Sequence, residues 1–347
     1  MMTPLPTSIP TTFSPVATHG DQNNTNIAHC PEEDVEWTFI VLPVYSLVIA
    51  VLGIIFNVFV LMVFCLHKKA CTVAEIYLSN LAAADLVLVS CLPFWAVYAA
   101  KKFNWPFGGS LCRLVNLSIS MNVYCSIYFL VLVSIDRYMA LVHPLSHERL
   151  RRPKSAKLGC LLVWALGLLL SVPTLIYREV KYFSGINATL CYLNYPNTTV
   201  MLLCEGMLTM FIIVIPIPII SFCTFKVIKV LNNRLMKASN TKKKEQKATT
   251  LVLAVLIAFL ICWVPLHLVK IIELLMRAEL LVGCTLGTIV ETCRQILTYL
   301  AYFNSVLNPI LYVILGTLFR KRVKELFKQW SWKRTVTLSL ASTHTSL

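Results

Sequence analysis

The sequence predicts an all-α membrane protein, a seven-transmembrane helix bundle followed by a short amphipathic helix on the membrane surface. Its composition indicates the class, because 57% of the 347 residues are hydrophobic and only 14% are charged. Such a balance leaves too little polar surface to cover a soluble domain. Seven long apolar runs give the number of spans, since about 20 apolar residues cross the hydrocarbon core. The predicted spans cover residues 37–66, 76–100, 114–135, 158–177, 206–225, 248–269 and 295–319.

The chain divides into four predicted parts. Residues 1–36 are rich in proline, threonine, serine and asparagine and cannot bury a core, so we expect a disordered extracellular tail. This tail has no continuous apolar stretch typical of a secretory signal, so the first span is expected to direct insertion. The bundle covers residues 37–315. Residues 316–330 place apolar and basic side chains at helical spacing, which predicts a juxtamembrane helix, and residues 331–347 form a cytoplasmic tail.

Basic residues are distributed unevenly between the two ends of the bundle. Lysine and arginine number two in residues 66–72, five in 139–157, eight in 226–247 and seven after residue 319, and the opposite loops carry fewer. Because basic loops stay in the cytoplasm, we expect a plasma-membrane protein with its N-terminus outside and its C-terminus inside. Anionic lipid at the inner leaflet then explains the net charge of +15, and no nucleic-acid partner is needed.

Sequons and cysteines mark the face expected outside. The sequons there are Asn23, Asn187 and Asn197. A further match, Asn116, lies within a span and is interpreted as a chance match. The external cysteines form an even set of four, namely Cys30, Cys112, Cys191 and Cys284. Cysteines in an oxidising compartment tend to pair, although free thiols remain an alternative for some of them.

Short polar motifs occupy five of the seven spans. Asp136-Arg137-Tyr138 ends the third span, where hydrocarbon meets cytosol and a charged pair is costly. The other motifs are Leu81 to Asp85 in the second span, Trp164 in the fourth, Cys262-Trp263-Val264-Pro265 in the sixth and Asn308-Pro309-Ile310-Leu311-Tyr312 in the seventh. With these motifs at these positions, the chain resembles rhodopsin-like (class A) G-protein-coupled receptors over residues 38–330.

The resemblance implies an activation switch at the inner ends of the helices. Arg137 stays charged and needs an acceptor, for which Asp136 is one neighbour and Glu245 a second candidate. Breaking such a pair costs energy that a partner-bound state must recover. A role in holding the helices together is the alternative. Pro216 and Pro265 each remove a helix hydrogen bond, which lets the fifth and sixth helices bend. The remaining switch residues by resemblance are Tyr138, Trp263, Phe259, Ile127, Asn308, Pro309 and Tyr312.

Asp85 is an ionisable residue in the middle of the second span. An unpaired carboxylate within the membrane must find a cation or a proton. Its polar company at positions that match the family is Ser126, Asn122, Asn304, Ser305 and Asn308. The resemblance therefore implies a sodium ion as an allosteric modulator, and no other cofactor.

Several longer stretches resemble bradykinin receptors in particular. They include residues 72–78, 92–95, 103–108 and 133–138. These receptors bind a short basic peptide with arginine at its ends and carry acidic residues at the outer ends of the sixth and seventh helices. The matching residues are Glu273 and Glu291, and two carboxylates facing one mouth suit a guanidinium that bridges them. Local neutralisation by Arg277 or Arg294 is the alternative.

Further positions match the pocket of this family. Arg178 is a candidate for the ligand's carboxylate. Ser120 stands where the inducible subtype has lysine, which favours the constitutive second subtype and the full-length kinin. The other matching residues are Trp95, Asn116, Gln295 and Tyr302. The family arrangement also implies a Cys112–Cys191 disulfide and leaves Cys30 with Cys284.

The resemblance implies partners on both sides of the membrane. They are a kinin-like peptide outside, and a G protein of the Gq type that releases calcium inside. A receptor kinase and arrestin would act on the tail. Its candidate phosphorylation sites are Thr335, Thr337, Ser339, Ser342, Thr343, Thr345 and Ser346.

Three other classes of protein are alternatives to a bradykinin-like receptor. Receptors for other peptides, such as angiotensin or chemokines, share the external cysteine arrangement and are the nearest. An opsin needs a lysine where Tyr302 stands. A membrane enzyme needs a nucleophile with a base or a set of metal ligands, and His267 is the single histidine in a predicted span, so we expect no enzyme.

Overall fold

The computed structural model describes residues 38–66, 71–143, 153–235, 240–278, 280–281, 283–316 and 319–329, and no side chains at 38, 231–235, 240–249 and 284. Seven helical segments among them are long and apolar enough to cross a membrane, which confirms the predicted number of spans. These spans are Phe39–Cys65, Val73–Ala100, Gly108–Val142, Pro153–Tyr177, Thr198–Val230, Thr250–Arg277 and Thr285–Leu315.

The helices that contain these spans extend beyond the predicted apolar runs in six of the seven cases, the first helix being the exception. They are Thr38–Cys65, Val73–Ala100, Gly108–Val142, Pro153–Tyr177, Thr198–Thr209 with Pro216–Leu235, Asn240–Arg277 and Cys284–Leu315. At 1.5 Å per residue the 35-residue third helix is about 50 Å long, well beyond the hydrocarbon core. The helices therefore carry polar residues at both ends that hydropathy alone assigns to loops.

The second and third spans form the centre of the bundle. The second packs against the first, third, fourth and seventh spans, and the third packs against the fourth, fifth and sixth. Leu81, Ile127 and Phe259 are buried where these helices meet. Leu169 and Ile261 point outward with more than 60% of their surface exposed, as lipid-facing side chains do. The core thus places the polar motifs at the axis of the bundle.

The fifth span is interrupted by a π-helical turn at Met210–Val214. The amide of Ile215 donates to the carbonyl of Met210 at 3.0 Å, five residues earlier. Pro216 follows at once and has no amide hydrogen to donate. The predicted irregularity at Pro216 is therefore a wide turn that separates an outer helix from an inner one.

The loop between the fourth and fifth spans folds into a β-hairpin, which the all-α prediction did not include. Strand β1 (Arg178–Phe183) pairs antiparallel with β2 (Ala188–Leu193), with Val180 opposite Cys191. Asn187 turns the chain with a φ of 49°. The hairpin packs against the N-terminal end of the third span.

Residues 319–329 form the helix expected after the seventh span. Its Phe319 is buried and meets the ring of Phe64 at 5.6 Å, whereas Phe327 is 61% exposed. Arg322 Nη2 lies 2.7 Å from Glu75 Oε2 at the inner end of the second span. The helix is therefore docked on the bundle through one apolar and one charged contact.

Candidate functional site

A disulfide holds the hairpin over the mouth of the bundle. Cys112 at the top of the third span bonds to Cys191 of β2, with 5.8 Å between their Cα atoms. This confirms the first expected pairing. Cys30 lies outside the described residues, so its pairing with Cys284 stays a prediction.

The acidic pair stands at the outer ends of the sixth and seventh spans. Glu273 Oε1 accepts a hydrogen bond from Arg277 Nη2 at 3.3 Å. Glu291 accepts two from Arg294, at 2.5 and 2.9 Å. The two carboxylates are near enough for their charges to interact. Each acidic group is therefore paired with an arginine of its own helix, which is the arrangement of the alternative given above.

Glu273 keeps unused hydrogen-bonding capacity. Its Oε2 is buried and has no hydrogen-bond partner among the described residues. Gln295 Nε2 donates to Glu291 Oε1 at 2.9 Å, which fixes the second carboxylate from the helix turn below. The mouth therefore combines an open acceptor on the sixth span with a firmly held one on the seventh.

Arg178 is the first residue of strand β1 of the hairpin. It is only 4% exposed, and its Nη1 donates to the Cys191 carbonyl at a long 3.5 Å. Its Nε has no partner among the described residues. Burial lowers the pKa of Arg178 to about 10, an effect that Tyr98, Tyr195, Glu205 and Tyr302 oppose. The guanidinium is a buried cation with incomplete hydrogen bonding.

The other residues matched to the pocket lie on the inner faces of the spans. Asn116 is buried, and its Nδ2 donates to the Cys112 carbonyl at 2.8 Å, which fits its role as packing rather than glycosylation. Ser120 shares a 3.1 Å hydrogen bond with Thr174. Trp95 meets Tyr98 edge to face at 5.4 Å, and its indole nitrogen is buried without a partner in the described chain. Tyr302 is within electrostatic range of Arg178.

Asp85 lies in a buried amide cluster at the centre of the bundle. Its Oδ1 accepts from Asn122 Nδ2 at 3.3 Å and its Oδ2 from Asn308 Nδ2 at 2.9 Å. Ser126 adjoins Asn122 at 3.2 Å. The side-chain oxygens of Asn304 and Asn308 are buried and unpartnered within the described chain. Carboxylate, amide and hydroxyl oxygens are the ligands that a hard cation prefers, so these residues fit a sodium ion.

An aromatic stack rises from the core toward the ligand side. Phe259, Trp263 and His267 stack in sequence, with ring centroids 5.7 and 5.9 Å apart. Ile127 is buried at 1% exposure in the same core cluster. Pro265 lies within this helix and Pro216 is buried in the fifth span. These residues connect the outer pocket with the inner half of the bundle.

At the inner ends, Arg137 pairs with its neighbour Asp136 through both Nε and Nη2. Tyr138 shares a 3.1 Å hydrogen bond with His143. The side chain of Glu245 lies outside the described part of the chain, so the second partner of Arg137 stays a prediction. The hydroxyl of Tyr312 is buried without a described partner.

Two charged residues in the pocket were missed from the sequence. Glu205 and Lys270 fell one residue outside the runs predicted as spans, 206–225 and 248–269, and were therefore left to the loops. In the structure both lie inside helices, in Thr198–Thr209 and Asn240–Arg277, and both line one pocket. Continuing the helical period one or two turns past each apolar run would have found them.

The fold and this axial set of motifs define a seven-helix membrane receptor. The profile of the family described as 7 transmembrane receptor (rhodopsin family) matches residues 56–312. The human B2 bradykinin receptor is 43% identical over 332 residues, which cover 92% of this chain and 85% of that receptor. The rat B2 bradykinin receptor is 45% identical over 303 residues, 86% of this chain and 76% of the relative. The B1 bradykinin receptor of Macaca mulatta is 38% identical over 323 residues, 92% and 91% of the two chains.

The chain therefore belongs to the rhodopsin family of seven-transmembrane receptors and, within it, to the bradykinin receptors. Its identity to these B2 receptors exceeds that to the B1 receptor, in agreement with the subtype indicated by Ser120. Members of this family are receptors and not enzymes, so the chain is a multi-pass membrane receptor.

Proposed function

We propose that this receptor binds a short, basic, kinin-like peptide at its extracellular mouth and activates a G protein of the Gq type, with release of calcium. The observation that carries the proposal is the pair of carboxylates, Glu273 and Glu291, at one mouth. The names of the B2 and B1 bradykinin receptors that it resembles point to the same ligand class.

The proposed binding step is an exchange of arginines. In the structure Arg277 and Arg294 pair with the two carboxylates from their own helices. A ligand guanidinium presents donors in a planar fork that suits two carboxylates at once. The sixth and seventh helices are thereby tied together by the peptide.

The ligand's carboxylate is proposed to lie near the positively charged Arg178. Arg178 supplies buried positive charge beneath the hairpin, with an unpartnered Nε among the described residues. Five residues of the second, third and seventh spans surround this region and contribute shape and hydrogen bonds. They are Trp95, Asn116, Ser120, Gln295 and Tyr302. Two opposite charges at separate places favour one orientation of a peptide.

The proposed relay runs through the aromatic stack to the inner ion pair. A change at the sixth span moves Trp263 and Phe259, and the bends at Pro216 and Pro265 turn this into a displacement of the inner helix ends. Arg137 then exchanges Asp136 for the G protein. A sodium ion at Asp85, Ser126, Asn122, Asn304 and Asn308 opposes this change by holding the ligand-free arrangement.

The proposed setting is the plasma membrane, with the N-terminus extracellular and the C-terminus cytoplasmic. Asn187 is exposed in the hairpin turn and Asn197 is exposed at a helix N-terminus, so both are accessible to glycosylation. Asn23 and the tail serines and threonines lie outside the described residues. Glycosylation there, and phosphorylation followed by arrestin recruitment, are carried over from the sequence. Basic residues of the inner face contact anionic lipid.

Intracellular calcium in transfected cells tests this function. We expect release on exposure to full-length kinin, weaker release with the kinin that lacks its last arginine, and none with angiotensin or chemokines. Untransfected cells and a Gq inhibitor are the controls. Silence toward both kinins with a response to another peptide would overturn the proposed ligand, and a kinin response that persists under Gq inhibition would overturn the proposed coupling.

A further inference from the structure

A pocket opens between the fifth and sixth spans, beside the acidic pair. Its charged and aromatic wall residues are Glu205, His267, Lys270, Glu273 and Arg277. His267 is 3% exposed, and its Nε2 is buried without a partner in the described chain. The pocket is therefore lined by polar groups whose hydrogen bonds are not all made within the protein.

Lys270 is the main unsatisfied charge of this pocket. It is half-buried, yet its ammonium forms no ion pair or hydrogen bond with any part of the chain that the structure describes. Three donors on a partly desolvated cation are costly to leave unused. An anion that enters the pocket would satisfy them.

Glu205 interacts electrostatically with the Lys270 ammonium but forms no hydrogen bond with it in the part of the chain that is described. Tyr195 donates its hydroxyl to Glu205 Oε1 at 3.0 Å, which holds the carboxylate on the fifth span. Glu205 acts electrostatically on Lys270 and also on Arg178 and Arg277. It therefore lowers the cost of burying several cations while leaving the hydrogen-bond donors of Lys270 available.

We propose that Lys270 forms a subsite for the free C-terminal carboxylate of the peptide ligand. This inference rests on the proposed function, because it names the ligand group that meets this pocket. Arg178 is 4% exposed and already donates to the Cys191 carbonyl, and Glu205 interacts electrostatically with both cations. Lys270 lines the open pocket and contacts the ligand carboxylate directly.

The charges of the pocket favour a singly charged group. Arg277 is paired with Glu273 and Tyr195 holds Glu205, so Lys270 is the cation of this pocket that has no bonded partner within the described residues. A doubly charged phosphate would be repelled by the two carboxylates in the same walls. The free carboxylate of a peptide matches the single ammonium in charge and in size.

A cycle that changes receptor and ligand together tests the subsite. Competition binding on membranes compares full-length kinin as the free acid with the same peptide as its C-terminal amide, on wild type, Lys270→Gln and Lys270→Arg. Wild type is expected to prefer the acid by about tenfold or more, as a charge-assisted hydrogen bond implies. Lys270→Gln is expected to lose this preference, and Lys270→Arg to keep most of it.

Two further variants sharpen the result. Glu205→Gln removes the internal negative charge and is expected to strengthen binding of the acid several-fold while leaving the amide unchanged. Arg178→Gln is expected to reduce the acid preference less than Lys270→Gln does. An acid preference that survives Lys270→Gln, or a Lys270→Gln loss equal for acid and amide, overturns the subsite. Absence of kinin binding by wild type instead overturns the proposed function and is recognised separately.

Discussion

At the scale of single residues, the proposed function depends on ionisable side chains inside the helices. Asp85 is the deepest of them, at 2% exposure, with one amide on each carboxylate oxygen. Keeping an ionised carboxylate in this position requires a compensating cation. The side-chain oxygens of Asn304 and Asn308 are buried and unpartnered within the described chain, and the proposed sodium site would use them as further hard ligands.

The sodium site predicts a salt-specific change in agonist affinity. Raising NaCl at constant ionic strength is expected to weaken agonist binding to wild type several-fold, because the ion stabilises the ligand-free arrangement. Asp85→Asn removes the negative charge and is expected to abolish this dependence. Competition binding with sodium replaced by N-methylglucamine measures the effect. A sodium dependence that is equal in wild type and Asp85→Asn would refute the site.

The positions of individual residues in the bundle were predictable from the sequence where those residues belong to a motif. Asp85, Asp136 and Trp263 lie on the bundle axis because each falls on the inner face of a helix whose outer face is apolar. The hydrogen-bond and ion-pair partners of the charged residues were less predictable. The pairing of Glu273 with Arg277 and of Glu291 with Arg294 depends on side-chain geometry, and the sequence left it open.

At the scale of elements, the spans were predictable and their ends were not. Hydropathy reports the part of a helix that lies in lipid, whereas the helix continues as long as its backbone hydrogen bonds remain favourable. The helix that ends at Arg277 therefore extends eight residues past Val269, and Lys270 becomes part of a pocket. The hairpin was missed because its six-residue strands are held by a disulfide and not by a long pattern of their own.

The amphipathic helix depends on a charged contact that the sequence did not reveal. Glu75 Oε2 accepts from the amide of Thr72 at 2.7 Å as part of a capping box and also meets Arg322 Nη2 at 2.7 Å. The side chains of Arg322 and Glu75 are only 11% and 8% exposed. One carboxylate therefore both starts the second span and docks the helix of residues 319–329.

Removing one partner of this pair is expected to loosen the docked helix. Arg322→Gln leaves the Glu75 carboxylate buried without its cation, a change that costs about 3–5 kcal/mol in buried pairs. We expect a lower Tm for the purified receptor in detergent, and partial recovery in the double variant Glu75→Gln with Arg322→Gln. Lys321→Gln is the matched control, because its 3.8 Å pair with Glu325 lies on the exposed face. Equal Tm losses for Arg322→Gln and Lys321→Gln would contradict this role.

At the scale of the whole molecule, ion pairs lie at both ends of the helix bundle. The outer mouth holds Glu273 and Glu291 with buried cations below them, and the inner end holds Arg137 with Asp136. The aromatic stack of Phe259, Trp263 and His267 lies between these regions on a single helix. In the proposed mechanism, a peptide that replaces the ion pairs of the mouth acts on the helix that leads to the inner pair.

The acidic mouth is the central claim, and kinin binding to charge-neutral variants tests it most directly. Saturation binding of labelled full-length kinin compares wild type, Glu273→Gln, Glu291→Gln and the double variant, with surface abundance measured in parallel. Each single variant is expected to weaken binding about tenfold or more, and the double variant to weaken it less than additively, since one guanidinium contacts both carboxylates. A kinin affinity unchanged in the double variant, at normal surface abundance, would contradict the claim.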